Sequence, residues 1–201
     1  MTKRIGGFTL SLLALASTGA LASGGRLIFD FSDPAALDPW IVVNDTVMGG
    51  VSASRIAATD EGVATFSGTL SLENNGGFAS VRTRPSRLDL STFDGIRLRV
   101  RGDGRTYLLN LRQDGNFDGI SYRASFETEP GEWGVVDTPF DRFVPTFRGR
   151  RVPGAGPLDP GRLQSFGFML ADKNPGTFAL QIKTIEAYGA EGGDGSGDGA
   201  P

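Results

Sequence analysis

The run Ile96-Arg97-Leu98-Arg99-Val100-Arg101 places three apolar side chains on one side of an extended chain and three arginines on the other. Alternation with a period of two marks a strand that buries one face. The run ends in Gly102-Asp103-Gly104, a tight-turn signal, and Thr106–Arg112 resumes the alternation, so the two are expected to pair as a hairpin. Similar runs lie at 26–31, 51–57, 63–72, 78–84, 120–128, 132–139, 165–171 and 177–188, with turn signals between them. So many short strands without a long helical period predict an all-β fold: two antiparallel sheets packed as a β-sandwich or jelly roll. Helix is expected only as short turns near 33–37, 141–143 and 160–163.

Composition narrows the chemistry. The 201 residues include no Cys and no His, so zinc sites built on thiolate or imidazole and nucleophiles activated by histidine are excluded. Catalysis would have to rest on carboxylates, and although Asp45, Asp103, Asp114 and Asp118 are present, no spacing singles out an acid and a base. The expectation is a chain that is not an enzyme and carries no cofactor and no metal.

Residues 1–22 read as a cleaved signal peptide: Lys3 and Arg4 form a basic start, a largely apolar stretch follows, and Ala20-Leu21-Ala22 has the small-x-small form. This predicts a periplasmic or secreted bacterial protein. Losing Lys3 and Arg4 would leave 18 basic side chains against 23 acidic ones, an unsuitable balance for a nucleic-acid partner. Residues 190–201 hold no large apolar side chain and are expected to form a flexible Gly/Asp-rich tail. One domain over 25–189 accounts for the rest.

One segment is unusual: Trp40-Ile41-Val42-Val43-Asn44-Asp45-Thr46-Val47-Met48-Gly49-Gly50-Val51-Ser52. With the stretch 66–82, the run Arg101-Gly102-Asp103-Gly104-Arg105-Thr106-Tyr107, Trp133, Pro139-Phe140, the stretch 143–150 and Pro175-Gly176-Thr177-Phe178, it resembles the complex I intermediate-associated protein family. The resemblance covers about 160 residues. It implies a galactose-binding-domain-like jelly roll and, from mitochondrial members, a role as an assembly factor for respiratory complex I.

Candidate binding residues fall into three groups. Asn44 and Asp45, followed by Met48-Gly49-Gly50, could present oxygens to a ligand or could simply build turns. Asn74 and Asn75, before Gly76-Gly77, carry the same two readings, the turn taking the form of a hairpin between Leu72 and Phe78. Strand alternation supplies the third group: Arg82, Asn110, Arg112 and Arg123 are predicted to share one polar sheet face, where arginine forks could bind carboxylates, phosphates or sugar hydroxyls. The competing reading is a solvated face paired with acids such as Glu127. Arg148 opens a basic loop, Arg148-Gly149-Arg150-Arg151, suited to an acidic partner or lipid head groups. Trp40 and Trp133 are either core residues or sugar-stacking platforms.

The expected function is an exported, non-catalytic binding module, a protein-binding assembly factor or chaperone-like protein, with a carbohydrate-binding module of the cell envelope as the alternative. The partner is a protein or a glycan, and peripheral membrane contact is left open.

Overall fold

The computed structural model describes residues 24–116 and 118–189. The two expected end segments, 1–22 and 190–201, lie outside the described residues. Thirteen strands are described: β1 Arg26–Asp30, β2 Trp40–Val42, β3 Ala53–Ala58, β4 Ala64–Leu70, β5 Ala79–Thr83, β6 Gly95–Arg101, β7 Thr106–Arg112, β8 Ser121–Glu127, β9 Trp133–Pro139, β10 Val144–Phe147, β11 Arg150–Arg151, β12 Ser165–Leu170 and β13 Gly176–Tyr188. One sheet runs β3-β4-β13-β6-β9, with β1 also paired to β13; the other runs β11-β10-β8-β7-β12-β5-β2. Every pairing between strands is antiparallel.

The two sheets meet through their apolar faces. Phe66, Ile96, Leu98, Val100, Leu180 and Ile182 come from the first sheet; Val81, Tyr107, Leu109, Leu111, Phe168 and Leu170 come from the second, and all are buried. Rings lock the layers together. Phe29 of the first sheet lies edge to face with Trp40 of the second at 5.5 Å, and Phe178 of the first with Tyr107 of the second at 6.5 Å. Trp40 is therefore a core residue.

The hairpin expected from β6 and β7 does not form. β6 pairs with β13 and β9 in one sheet, whereas β7 pairs with β8 and β12 in the other. The reason is that each strand has one apolar face, and facing each other across the sandwich buries both at once. Gly102-Asp103-Gly104 turns the chain from sheet to sheet, held by Asp103, which accepts hydrogen bonds from the Tyr107 hydroxyl at 3.0 Å and the Ala179 N–H at 2.9 Å.

The segment after Leu72 is a second correction. It connects β4 in one sheet to β5 in the other through a short 3-10 turn, Glu73–Asn75, rather than closing a hairpin. Asn74 and Asn75 take the left-handed conformation there, with φ of 55° and 59°, a region that Asn tolerates better than most residues.

Candidate functional site

The outer face of the seven-stranded sheet carries a cleft of about 530 Å³. Its floor is a row of register partners running straight across four strands: Arg82 on β5 opposes Gly167 on β12, Gly167 opposes Asn110 on β7, and Asn110 opposes Arg123 on β8. A second row places Ser165 opposite Arg112 and Ser121 opposite Thr146. Alternation explains the division of labour along β12: Phe166, Phe168 and Leu170 enter the core while Ser165, Gly167 and Met169 line the cleft.

Two loops wall the cleft. One contains Val47 and Met48, both exposed, in the 3-10 turn Asp45–Met48; the other is the turn from β10 to β11, with Phe147 at the end of β10 and Arg148 just after it, also exposed. The arginines expected to share a face, Arg82, Arg112 and Arg123, are thus brought together with Asn110, and Arg148 sits at the rim.

Arg112 donates from Nη1 to the Gly119 carbonyl at 2.7 Å, and Arg123 donates from Nε to Ser121 Oγ at 3.0 Å. Among the described residues, no ion pair is formed by Arg112 or Arg123, and Glu127 does not serve them. Asn110 Oδ1 is buried without a hydrogen-bond partner among the described residues. Burial weakens the hold of all three guanidiniums on their protons. Arg82 is pulled down to about 10, by burial first and the charge of Arg112 second. Arg112 is lowered by burial against the opposing pull of Asp114 and Asp118, and Arg123 by burial with help from Arg112. Asp118 is the one acidic side chain lining the cleft among the described residues.

Asn44 and Asp45 prove to be internal. Asp45 is fully buried, and its carboxylate accepts from Ser52 N–H at 2.9 Å, Ser52 Oγ at 2.6 Å, Gly77 N–H at 2.7 Å and Phe78 N–H at 3.3 Å. Asn44 Oδ1 accepts from Ser54 Oγ at 2.7 Å and Ser80 N–H at 3.1 Å. Neither has oxygens to offer a ligand, because both are committed to joining the wall loop to β5. The glycines make this possible by close approach: a Cβ at Gly50 would lie 2.4 Å from Asp45 Cγ, and one at Gly76 would lie 2.6 Å from its Oδ2. Asn74 and Asn75 are exposed and do not line the cleft. Trp133 is on the opposite sheet, where the Arg101 guanidinium covers its ring at 5.0 Å, so neither tryptophan lines the cleft.

The sequence reading missed Gly167, Met169, Val47, Met48 and Phe147. The alternation of β12 held the signal for the first two; nothing local marks the others as exposed. Gly167 is a fitted position, since a Cβ would meet the Val81 carbonyl oxygen at 2.8 Å and Arg82 Cβ at 3.1 Å. Gly167→Ala is expected to wedge β12 from β5 and cost about 1–3 kcal/mol. A melting temperature equal to that of the parent chain would contradict this contact.

The model of one protein family, Complex I intermediate-associated protein 30, matches residues 29–182. The chain belongs to this family. Curated relatives carrying the family name include the Mus musculus protein, 33% identical over 81% of this chain and 56% of its own length, and the Drosophila melanogaster protein, 30% identical over 79% and 61%. The chain thus spans little more than half the length of these relatives. These two, with relatives from Caenorhabditis elegans and Neurospora crassa, are named as mitochondrial proteins, which overturns the periplasmic or secreted address expected from residues 1–22. That expectation rested on the composition of a terminal segment alone.

Among solved structures, a family 11 carbohydrate-binding module of a Clostridium thermocellum cellulase superposes with a TM-score of 0.62 at 21% identity, covering 84% of this chain and 96% of the module. The same kind of module in complex with a mixed-linked tetrasaccharide gives 0.61. At this identity the likeness establishes the fold: the chain is built as a β-sandwich of two antiparallel sheets, as the strand pattern predicts.

Proposed function

We propose that residues 25–189 form a non-catalytic assembly-factor domain that binds a protein partner among complex I intermediates, in the mitochondrial setting for which the curated relatives are named. The observation that carries this reading is the cleft, where four arginines face one aspartate in a chain whose net charge is −3. Arginine forks recognise carboxylates and planar groups and do not exchange protons near neutral pH, so such a surface suits recognition better than turnover. Among the described residues, Asp118 has no second carboxylate beside it in the cleft lining with which to divide acid and base roles.

The test is purification of the full tagged chain from mitochondria. Complex I subunits should accompany it, and Arg112→Ala/Arg123→Ala should reduce their recovery about tenfold or more. A preparation free of complex I subunits would sink the assembly role. A carbohydrate-binding role draws support from the exposed Phe147 ring at the rim, which could stack on a sugar. Saturable binding of a neutral glucan, abolished by Phe147→Ala, would favour it instead.

A further inference from the structure

Three features of the cleft narrow the chemistry of its occupant. The first is the spacing of charge. Arg112 and Arg123 lie on neighbouring strands two residues out of register, since Asn110 opposes Arg123 and Arg112 follows on the same face. Such diagonal neighbours are about 7–8 Å apart. Side chains on one face of an extended peptide recur at about 6.8 Å, twice the rise per residue. Arg82 is three strands from Arg123, a span of about 14 Å at the usual strand separation. Positive charge is therefore spread over the floor, with Arg82 and Arg123 in one row across the strands and Arg112 two residues to its side, and an isolated oxyanion would reach only part of it.

The second feature is the balance of donors and acceptors. A guanidinium carries five N–H donors, and among the described residues Arg112 and Arg123 each donate one side-chain hydrogen bond within the protein. Between them, Asn110 Oδ1 is a buried acceptor that meets no donor among the described residues. A free carboxylate or sulfate would satisfy the arginines but, being acceptor-only, could not donate to Asn110. A peptide does both, offering carboxylates from its side chains and N–H groups from its backbone.

The third feature is the apolar rim. Val47, Met48 and Phe147 are exposed beside the arginines, and the turn that holds Val47 and Met48 is tied down by the buried Asp45 carboxylate. The rim is thus a fixed apolar surface next to a basic floor. In a chain of net charge −3 this basic concentration is local, so long-range attraction directs an acidic segment to this face.

We propose that the cleft is a receptor for an extended acidic peptide segment of a partner protein, with Arg112 and Arg123 taking side-chain carboxylates, Asn110 taking a backbone N–H and the rim taking a neighbouring apolar side chain. The proposal rests on the reading of the chain as a protein-binding module. It names what that module reads.

The experiment is fluorescence anisotropy of the full chain with a labelled peptide of alternating glutamate and leucine. Binding should be saturable and weaken as salt is added, and the matching lysine–leucine peptide should not bind. Arg112→Ala/Arg123→Ala should weaken binding about tenfold or more, whereas Arg97→Ala on the opposite sheet should leave it unchanged. Arg112→Gln/Arg123→Gln, checked for parental melting, keeps the test open if the alanine pair fails to fold. Equal binding by parent and both variants would overturn the proposal. So would absence of peptide binding, or saturable binding of inorganic phosphate, anionic phospholipid vesicles or a neutral glucan in the peptide's place. If complex I subunits still co-purify in a manner dependent on Arg112 and Arg123 while the peptide fails, only the acidic-peptide proposal falls; if co-purification also fails, the assembly reading falls with it.

Discussion

Asp45→Ala is expected to lower the unfolding free energy by about 3–5 kcal/mol, read as a shift in the urea midpoint with little change in slope. The carboxylate is fully buried and receives three backbone N–H groups and one hydroxyl. Truncation leaves those donors without an acceptor, and each orphaned buried group costs about 1–3 kcal/mol, partly relieved where water enters the space. Asp45→Asn should cost less than alanine but more than a surface change, since an amide nitrogen then faces N–H donors. Acid should have a related effect. Burial alone would raise the Asp45 pKa, but the bonds from Ser52, Gly77 and Phe78 outweigh it and hold the group below its ordinary value of 3.8. The folded value being the lower one, this contribution is complete above the ordinary carboxylate range and is lost as pH falls through the folded value. A loss smaller than about 1 kcal/mol for Asp45→Ala would show that the loop is held by something else.

The location of Asp45 also shows where sequence reading stops. Asn and Asp beside glycines mark a loop with oxygens and close backbone approach, and that much is correct. Whether those oxygens point to solvent or to Ser52, Gly77 and Phe78 depends on residues up to 33 positions away. Alternation fared better with the arginines. Arg82, Asn110, Arg112 and Arg123 share a face because the period of two is local and survives folding, whichever sheet the strand joins. Pairing is not local, and so the β6–β7 hairpin was misread: the turn signal at Gly102-Asp103-Gly104 is real, but the choice between edge pairing and packing face to face is made by burial. The three strands absent from the sequence reading have simple causes. β2 and β11 are three and two residues long, and β10 contains Pro145. The exposed rim was invisible for the opposite reason, since Val47, Met48 and Phe147 are residue types expected inside.

Arg105→Ala is expected to cost about 3–5 kcal/mol, because it breaks a nearly buried ion pair and leaves a carboxylate behind. Arg105 forks onto Asp172, with Nε at 2.9 Å and Nη2 at 2.7 Å, and also donates to the carbonyls of Asn174 and Thr177. These bonds tie the start of β7 to the turn between β12 and β13, so the residue fastens the loop after the cleft strand to the rest of the sandwich. Arg97 and Asp137 provide an internal control with the same forked geometry, both bonds at 2.7 Å. Geometry does not separate the two pairs; burial does. Side-chain exposure is 10% and 17% for Arg105 and Asp172, against 36% and 42% for Arg97 and Asp137. Solvent screens the second pair, and Arg97→Ala should cost no more than about 1 kcal/mol. The pH dependence should diverge as well. In the parent chain burial would raise the Asp172 pKa, but the hydrogen bond from Arg105, with that from Asn174, holds it low, so the pair's contribution is present above the ordinary carboxylate range and lost on acidification. Without Arg105 the burial cost remains while its main counterweight is gone. Arg105→Ala should then lose the upward trend of stability with pH that Asp172 supplies, and Arg105→Ala/Asp172→Ala should recover part of the loss. Equal costs for Arg105→Ala and Arg97→Ala in denaturation at neutral pH would refute burial as the deciding factor.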